Sequence, residues 1–477
     1  MKQSFFTLGL ALSLTACDTN ISASSDNSST IQALTGSTLI DGNGGEPILN
    51  ATILIEGGKI TCAGNIFDCP TPDKATNIQL NGKYITPGIV DGHVHFSQTG
   101  FVDGRPDGFN ANPIYPFGVT QAENRNNPDR YYKAYICSGV TAVYDVGGFP
   151  YTWDFRADAE KRTDAPHIAA AGPLVTHGAP DALNTPAERS MIMLSDPETG
   201  KIAVNYIKAS GSDAVKVWYL RPREGMVKDI QARVQAVGEE AARLNIPLIV
   251  HANGLREAKH AVRLGAHLLV HNVWTEEIDN EFIEMMKAQG TYMTPTMTVA
   301  RGYYEIYDRI LNGTPYDFDD ANSCIDTETK RKVEAAPELG SLVNEVAFRE
   351  KNKHFDERLN KNRSLNNKNL KRLYEAGVRI AMGTDAGNTG TMHGPSVYSE
   401  MEAMQAAGMT PMDVLISATR IGAEVMSRQD DFGTIESGKI ANLIILTNNP
   451  TENIKNMRSL THVMRGGKLH NIKDLKQ

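Results

Sequence analysis

Short apolar runs alternate with longer helical patterns through the middle of the chain, from about residue 84 to residue 428. The longer patterns, such as 227–244 and 255–264, repeat apolar positions with the period of an amphipathic helix. The eight short runs are 88–90, 141–144, 168–171, 214–217, 247–250, 268–270, 292–294 and 379–382. Eight strands alternating with helices predict an α/β fold, a (β/α)8 TIM barrel, whose catalytic residues lie at the carboxyl ends of the strands.

The two ends of the chain have another pattern, with short strands rich in β-branched residues and bounded by Gly and Asn. They occupy residues 31–83 and 429–477, on either side of the barrel at residues 84–428. We therefore predict a small β-sandwich domain formed by the N- and C-terminal segments. Within the barrel region, residues from about 301 to 365 are polar and Asn-rich, and they predict a partly helical insertion between strands seven and eight.

The first 30 residues predict export. Lys2 precedes an apolar run from Phe5 to Leu12 that is short for a bilayer span, which is the pattern of a secretory signal. Leu14-Thr15-Ala16-Cys17 resembles the bacterial lipobox, which implies that residues 1–16 are removed and that Cys17 is lipidated. Residues 17–30 are rich in Ser, Asn, Thr and Asp and predict a flexible tether. The protein is thus expected in the bacterial cell envelope, lipid-anchored and facing the periplasm or the outside. The alternatives are a plain signal peptide and a cytosolic N-terminus in which Cys17 occurs by chance.

The composition, 41% hydrophobic and 22% charged, excludes a wholly disordered chain, a collagen and a coiled coil. The net charge of −8 disfavours nucleic acid and anionic membrane surfaces as partners, so we expect membrane contact only through the lipid anchor. Cys62 and Cys69 flank a turn signal. In an oxidising compartment they form either a local disulfide or two buried thiols, and the sequence leaves this open.

Candidate metal ligands follow four of the predicted strands. His93 and His95 come after the first strand, and residues at i and i+2 point to the same side of a strand. The fifth strand ends in His251, the sixth in His271, and Asp385 follows the eighth. Imidazole and carboxylate groups bind zinc and similar divalent ions. These five side chains therefore predict a metal site at one end of the barrel.

Lys216 lies within the fourth predicted strand, in Ala214-Val215-Lys216-Val217-Trp218. Burying an unpaired ammonium group is costly, so this side chain must reach solvent, pair with an acid or lose its charge. A neutral amine can react with carbon dioxide to form a carbamate, which is an anionic bridging ligand. The residues alone leave these three outcomes open.

The chain resembles the amidohydrolase superfamily in an ordered set of residues: His93-Val94-His95, Lys216, His251, His271 and Asp385. Residues 84–95 resemble the first barrel strand of that superfamily, and residues 433–443 resemble its return into the β domain. Asn442 stands where the family usually has Asp. Because this position lies in the β domain, the difference affects no catalytic role.

The lysine of strand four implies the binuclear type of this superfamily, with two divalent metal ions, expected to be zinc, and carbon dioxide held as the carbamate on Lys216. One ion would be bound by His93, His95 and Asp385, and the other by His251 and His271. The carbamate and a hydroxide would bridge them. The hydroxide would attack the scissile carbonyl, and Asp385 would pass its proton to the leaving amine.

Residues 250–254 and 394–400 resemble the prolidase-like and imidazolonepropionase-like branch, which includes peptidases that cut dipeptides. We therefore predict a hydrolase of amide or other C–N bonds that acts on a small-molecule amide or dipeptide, with a prolidase-like dipeptidase as the specific candidate. The family's habit implies a homo-oligomer. The candidates for substrate binding are His177, Tyr219, Arg221 and His393. Arg221 could bind a carboxylate through its planar fork, although a surface salt bridge would also explain it.

Two other functions stay open. One is a mononuclear cyclic-amide hydrolase or deaminase of the same fold; several such deaminases place a Glu shortly after the strand-five histidine, where this chain has Ala252-Asn253-Gly254. The other is a non-catalytic tethered binding protein. The chain has no Walker loop and no His-Glu-x-x-His motif. The histidines expected to carry no role are His260, His354, His462 and His470.

Overall fold

The computed structural model of the chain describes residues 31–178, 181–343 and 355–477. The predicted signal peptide and tether at residues 1–30, and His354, lie outside these residues. Within the described ranges, none of the helices combines the length and the apolar composition that crossing a bilayer requires.

Seventeen strands are assigned in the described ranges. They are β1 (Gln32–Leu39), β2 (Ile48–Glu56), β3 (Lys59–Asn65), β4 (Thr76–Gln79), β5 (Tyr84–Pro87), β6 (Ile89–Val94), β7 (Val140–Asp145), β8 (His167–Ala170), β9 (Leu174–Thr176), β10 (Met191–Met193), β11 (Val215–Trp218), β12 (Leu248–His251), β13 (Leu268–Val270), β14 (Tyr292–Thr294), β15 (Leu443–Leu446), β16 (Leu460–Arg465) and β17 (Lys468–Asn471).

The described α-helices number thirteen. They are α1 (Phe117–Asn126), α2 (Asp129–Cys137), α3 (Thr152–Ala159), α4 (Pro197–Ala209), α5 (Val227–Arg243), α6 (Leu255–Arg263), α7 (Asn280–Gln289), α8 (Val299–Asn312), α9 (Thr327–Glu334), α10 (Phe355–Glu375), α11 (Ser396–Ala406), α12 (Pro411–Ser417) and α13 (Arg420–Val425). Short 3₁₀ segments add Val102–Gly104, Asp181–Leu183, Glu224–Met226, Ala336–Leu342, Ile454–Ser459 and Ile472–Asp474.

The small β domain is built from both ends of the chain. Its strands follow the order β17-β16-β15-β5-β1-β2-β3, and β4 pairs with β1 beside β5. The antiparallel pairing of β5 with β15 joins the N-terminal and C-terminal halves. The sheet encloses one apolar cluster that includes Leu34, Ile53, Ile85, Leu443 and Met464. The predicted β domain of the two chain ends is therefore confirmed.

The barrel strands occur where the eight apolar runs predicted them. β6, β7 and β8 form one parallel sheet, and β11 to β14 form another. The eighth predicted strand, 379–382, is not assigned as a regular strand in the described ranges. An isolated parallel bridge pairs its Ile380 with Met293, and a second pairs Ala386, which follows the segment, with Val94. On the opposite side, the amide of Asp213 donates a hydrogen bond of 3.2 Å to the carbonyl of Ala170. The predicted (β/α)8 architecture is confirmed, with an eighth strand less regular than expected.

Two short strands between β8 and β11 were not predicted. β9 pairs in parallel with β11, and β10 pairs in parallel with β9. Each has only three residues, which is too short for a periodic pattern to indicate a strand. They extend the barrel wall beside the cavity described below, which Leu174 and Met191 line.

The insertion between strands seven and eight is partly helical, as predicted. It contains most of α8, then α9, the segment Ala336–Leu342 and the first half of α10. Its apolar side chains, including Ile306 and Val333, pack against Phe101 and Phe109 of the loop that follows β6. Lys332 also donates a 2.9 Å hydrogen bond to the buried Asp103 of that loop. The insertion thus holds the loop over the carboxyl end of the barrel.

Two disulfide bonds are present. Cys62 and Cys69 are bonded, which settles the alternative that their spacing left open. Cys137 at the end of α2 is bonded to Cys324 of the insertion, 187 residues away. Spacing along the chain could not predict this second bond, because the insertion must first fold onto the barrel. It fixes the insertion to a barrel helix.

We expect removal of the Cys137–Cys324 bond to lower the free energy of unfolding by about 2–5 kcal/mol, because a long closed loop restricts the unfolded chain most. Urea unfolding of Cys137→Ser/Cys324→Ser under non-reducing conditions measures this. The matched control is Cys62→Ser/Cys69→Ser, whose bond closes a separation of only seven residues. An equal or larger loss in the control would contradict this account.

Candidate active site

A cavity lies at the carboxyl ends of the barrel strands, where the predicted metal ligands converge. The side chains of the ordered set all line it: His93, His95, Lys216, His251, His271 and Asp385. Aromatic and aliphatic residues form much of the remaining wall: Phe117, Phe149, Leu174, Leu183, Met191, Trp218 and Trp274. The site therefore combines a compact polar floor with apolar walls, which is typical of a small-molecule site.

His93, His95 and Asp385 form the tightest part of the floor. Asp385 Oδ1 lies 3.3 Å from His93 Nε2 and 3.1 Å from His95 Nε2. The two imidazole nitrogens are themselves 3.3 Å apart. The i, i+2 spacing on β6 thus directs both rings toward one point, as the sequence predicted.

His251 and His271 complete the floor from the ends of β12 and β13. Their ring centroids lie 4.4 Å apart, and His271 lies 5.1 Å from the ring of His93. His271 Nε2 is 4.0 Å from Asp385 Oδ2. Asp385 therefore lies between the pair on β6 and the pair from the adjacent strands.

The donor set fits divalent cations. His93, His271 and Asp385 each offer a ligand atom, and these atoms lie within 4.8 Å of one another. Burial lowers the pKa of His93 to about 4 and that of His251 to about 3, so both rings are neutral at pH 7 and able to bind metal. Asp385 Oδ1 is buried and has no hydrogen-bond donor within the described ranges. An acceptor oxygen of this kind, among neutral imidazoles, is suited to a cation.

Outer hydrogen bonds orient two of these rings. His95 Nδ1 lies 2.6 Å from the carbonyl of Gly147, which accepts its proton and leaves Nε2 free to bind metal. His271 Nδ1 lies 2.7 Å from the hydroxyl of Thr296. His271 and Asp385 also have left-handed backbones, with φ of 69° and 61°. Strained non-glycine backbones of this kind cluster at functional sites.

The buried carboxylate of Asp91 connects the first barrel strand to the segment that precedes Asp385. Asp91 accepts hydrogen bonds of 2.6 Å from the hydroxyl of Thr384 and 3.0 Å from its amide. The amide of His93 donates to the same carboxylate at 3.2 Å. Burial raises the pKa of Asp91 to about 7. Asp91 thus fixes the segment before Asp385 against the strand that carries His93.

Lys216 projects from β11 into the same cavity and is 2% exposed. Burial lowers the pKa of its amine to about 7, although Asp385 and Asp145 act in the opposite direction. Of the three outcomes that the sequence left open, reaching bulk solvent does not fit a side chain that is 2% exposed.

The four residues predicted to bind substrate lie away from the cavity wall. His177 Nε2 donates to the carbonyl of Leu220 at 2.9 Å, and Arg221 is exposed at the surface. Tyr219 packs in the apolar core, because the side chain after Trp218 points away from the barrel interior. His393 is buried behind the wall, where Tyr135 and the carbonyl of Gln98 engage both ring nitrogens, at 2.7 and 2.8 Å.

Three polar residues that the sequence did not single out line the cavity beside Asp385: Arg105, Tyr303 and Asn388. Asn388 Nδ2 donates to Asp385 Oδ2 at 2.9 Å. Its Oδ1 accepts from Arg105 Nη1 at 2.6 Å and from the hydroxyl of Tyr303. Arg105 lies well inside the loop after β6 and Tyr303 lies in the insertion, so neither directly follows the end of a barrel strand. The sequence pointed to one of these three residues only, because Asn388 follows Asp385 by three positions.

Of the residues predicted to have no role, His260 lies 3.2 Å from the hydroxyl of Tyr219, and His462 and His470 lie on β16 and β17 of the small domain. None of these three lines the cavity among the described residues.

Comparison with known proteins agrees with this geometry. Ochratoxinase from Aspergillus niger is 24% identical over 464 residues, which cover 90% of this chain and 85% of that protein. Imidazolonepropionase from Idiomarina loihiensis is 23% identical over 294 residues, covering 55% of this chain and 67% of that protein. A crystal structure of a Xaa-Pro dipeptidase with bound methionine in the active site shares the fold, with a TM-score of 0.69 and 22% identity. That match covers 93% of this chain and 100% of the other.

The model of the amidohydrolase family matches residues 84–470, which include the whole barrel and the C-terminal strands of the small domain. Both the ordered ligand set and the architecture are those expected of that family. The chain therefore belongs to the amidohydrolase family and is a metal-dependent hydrolase of C–N bonds.

Proposed function

We propose that this enzyme cleaves the amide bond of dipeptides or N-acyl amino acids, using two divalent ions, expected to be zinc, and a carbamate on Lys216. The observation that carries the proposal is Lys216 itself. Its amine is buried in the cavity that holds four histidines and Asp385. A carbamate on this amine would supply an anion that bridges two metal ions. The likeness to the solved Xaa-Pro dipeptidase supports the choice of substrate class.

We assign the first ion to His93, His95 and Asp385, and the second to His251 and His271. When bound, such ions lower the pKa of a shared water and polarise the scissile carbonyl. Asp385 is positioned to accept a proton, because Asn388 fixes its Oδ2 at 2.9 Å. Burial would raise the pKa of Asp385, but His93 and His95 hold it well below its ordinary value. The carboxylate is thus ionised before it takes the proton and transfers it to the leaving amine.

Metal analysis of protein that lacks residues 1–16, loaded with zinc and bicarbonate, tests the proposal together with a screen of dipeptides and N-acyl amino acids. About two ions per chain and cleavage of members of that panel are expected. One ion per chain with cleavage of cyclic amides alone would favour the mononuclear alternative. Two ions without turnover of any amide would favour the non-catalytic binding protein.

The place of action is part of the proposal. The protein is expected to be exported and lipid-anchored through Cys17, and its two disulfide bonds support an oxidising compartment. Mass spectrometry of the mature N-terminus would show a lipid-modified Cys17. We further propose a homo-oligomer, which light scattering of the loaded enzyme would detect.

The hydrogen bond between His271 and Thr296 gives a separate test of the second metal position. Thr296→Val keeps the shape of the side chain and removes the hydroxyl that orients the ring at 2.7 Å. We expect the affinity for one of the two ions to fall about 10–100-fold, as is typical when such a partner is lost. Competition with a chromophoric chelator measures this. Unchanged affinity of both sites would show that His271 does not depend on this bond to bind metal.

A further inference from the structure

We infer that Arg105 binds the free α-carboxylate of the leaving amino acid, so that the enzyme selects amides whose leaving amine carries a carboxylate. This inference rests on the proposed amide hydrolysis, with Asp385 as the proton donor to the leaving amine. It names a substrate-binding side chain and the chemical group that this side chain recognises.

Arg105 is held in a fixed orientation on the cavity wall. Its Nε and Nη2 each donate a 2.8 Å hydrogen bond to the two oxygens of Asp107. Its Nη1 donates to Asn388 Oδ1 at 2.6 Å. A guanidinium group has five N–H donors, so two have no acceptor among the described residues. One belongs to each terminal nitrogen, so Arg105 can donate further hydrogen bonds to a carboxylate.

The cavity has few other groups that could bind an anion. Among the described residues that line it, the cationic side chains are Arg105 and Lys216. Lys216 is assigned to the metal centre, where its carbamate would be an anion and not a cation. Arg105 keeps its charge, since its pKa is raised by Tyr303 and Asp107 against the effect of burial. A substrate carboxylate in this cavity therefore has one cationic partner, and that partner is already ordered.

Asn388 connects Arg105 to Asp385. Its amide donates a 2.9 Å hydrogen bond to Asp385 and accepts a 2.6 Å hydrogen bond from Arg105. In an α-amino acid, two carbon atoms separate the amine nitrogen from the carboxylate oxygens. A leaving amino acid beside Asn388 can thus place its amine at Asp385 and its carboxylate at Arg105. Arg221, the predicted carboxylate ligand, is exposed instead.

The insertion helps to form this subsite. Tyr303 on α8 donates its hydroxyl proton to the same Asn388 oxygen that accepts from Arg105. The guanidinium carbon of Arg105 also lies 6.0 Å from the centre of the Tyr303 ring. Because the Cys137–Cys324 bond fixes the insertion to the barrel, Tyr303 and Asn388 keep Arg105 at a constant distance from Asp385. The insertion therefore acts in substrate selection.

A matched pair of substrates tests the inference: alanyl-phenylalanine and its C-terminal amide, whose phenyl ring suits the apolar walls. For the metal-loaded enzyme we expect Arg105→Gln to lower kcat/KM for the free acid about 10–100-fold, mainly through KM, because a charged hydrogen bond of this kind is lost. The amide lacks the carboxylate that Arg105 would bind, so its kcat/KM should fall less, and the acid-to-amide ratio of kcat/KM should drop about tenfold or more. For the free acid, the kcat/KM of Arg105→Lys should lie between those of the wild type and Arg105→Gln, since lysine keeps the positive charge and lacks the planar pair of donors. Arg301→Gln, an exposed arginine of the same insertion, is the matched control and should alter neither substrate.

Thermal shift and metal analysis distinguish failure of the proposed role of Arg105 from failure of the proposed amide hydrolysis. Metal content equal to that of the wild type shows that the variants keep an intact centre. Equal loss on acid and amide, or no loss on either, would overturn the role of Arg105 while hydrolysis itself stands. If neither compound is cleaved, the proposed function fails. Selective stabilisation by the free acid that disappears in Arg105→Gln would then still support the carboxylate site, and its absence in the wild type would overturn it.

Discussion

Replacing Lys216 with alanine is expected to lower bound metal from about two ions per chain to one or fewer and to reduce amide hydrolysis at least about 1000-fold, because bridging and charge neutralisation are both lost. The side chain is 2% exposed and projects among the histidines, so no other group of the cavity can replace it. Its pKa of about 7 keeps much of the amine neutral near physiological pH, which is the form that reacts with carbon dioxide.

Adding another anion to Lys216→Ala tests whether the lost group is the carbamate that would bridge the two metal ions. If a carbamate is the bridge, a small carboxylic acid such as acetate should enter the space left by Lys216→Ala and restore part of the metal content and of the rate. Lys216→Glu, which brings its own carboxylate, should retain more metal than Lys216→Ala. Lys208→Ala, at an exposed lysine of the preceding helix, is the matched control and should behave as the wild type. Unchanged metal content and rate in Lys216→Ala would make the lysine structural and favour the mononuclear alternative.

The sequence predicted the barrel and the convergence of its polar floor for a simple reason. Parallel strands bring their carboxyl ends to one face, so residues such as His251 and His271 meet although 20 positions separate them. The side-chain alternation of β6 likewise directs His93 and His95 to one side. These placements depend on the apolar periodicity and on the order of the strands along the chain, and both can be read from a single sequence.

The substrate side of the cavity could not be predicted in the same way. Arg105 and Tyr303 reach Asn388 only after the insertion has packed on the loop behind Phe101, and that packing follows from tertiary contacts between distant segments. Tyr219 was a candidate because it follows the fourth predicted strand, and His393 because it lies past Asp385 in a Gly- and Thr-rich loop. Strand alternation turns Tyr219 into the core, and the hydrogen bond from Tyr135 holds His393 behind the wall.

The Cys137–Cys324 bond and the short strands β9 and β10 were missed for the same physical reason. Each depends on contacts between segments that are far apart or too short to show a period. The apolar runs determine the scaffold, while the cavity walls depend on how loops and the insertion fold over that scaffold. The sequence therefore predicts the residues of the metal centre more reliably than the residues that contact the substrate.

Replacing Asp385 with asparagine is expected to lower kcat about 10²–10⁴-fold while most of the fold is kept, because the amide cannot accept the proton that the leaving amine needs. The two side chains have nearly the same shape, but asparagine has a single oxygen, which can keep either the 3.1 Å contact to His95 or the 2.9 Å hydrogen bond from Asn388 and not both. An amide nitrogen turned toward His93 and His95 would also weaken the first metal position.

Steady-state kinetics and metal analysis of the same preparation distinguish these two effects. Rate loss with two ions still bound would assign proton transfer to Asp385, whereas rate loss that excess zinc reverses would assign only metal binding. Asp196→Asn is the matched control, since Asn caps the start of α4 as well as Asp does and lies far from the cavity lining. A variant with full metal content and a rate near that of the wild type would exclude Asp385 from proton transfer. The leaving amine would then have no reason to lie between Asp385 and Arg105, because Asp385 would have no proton to give it.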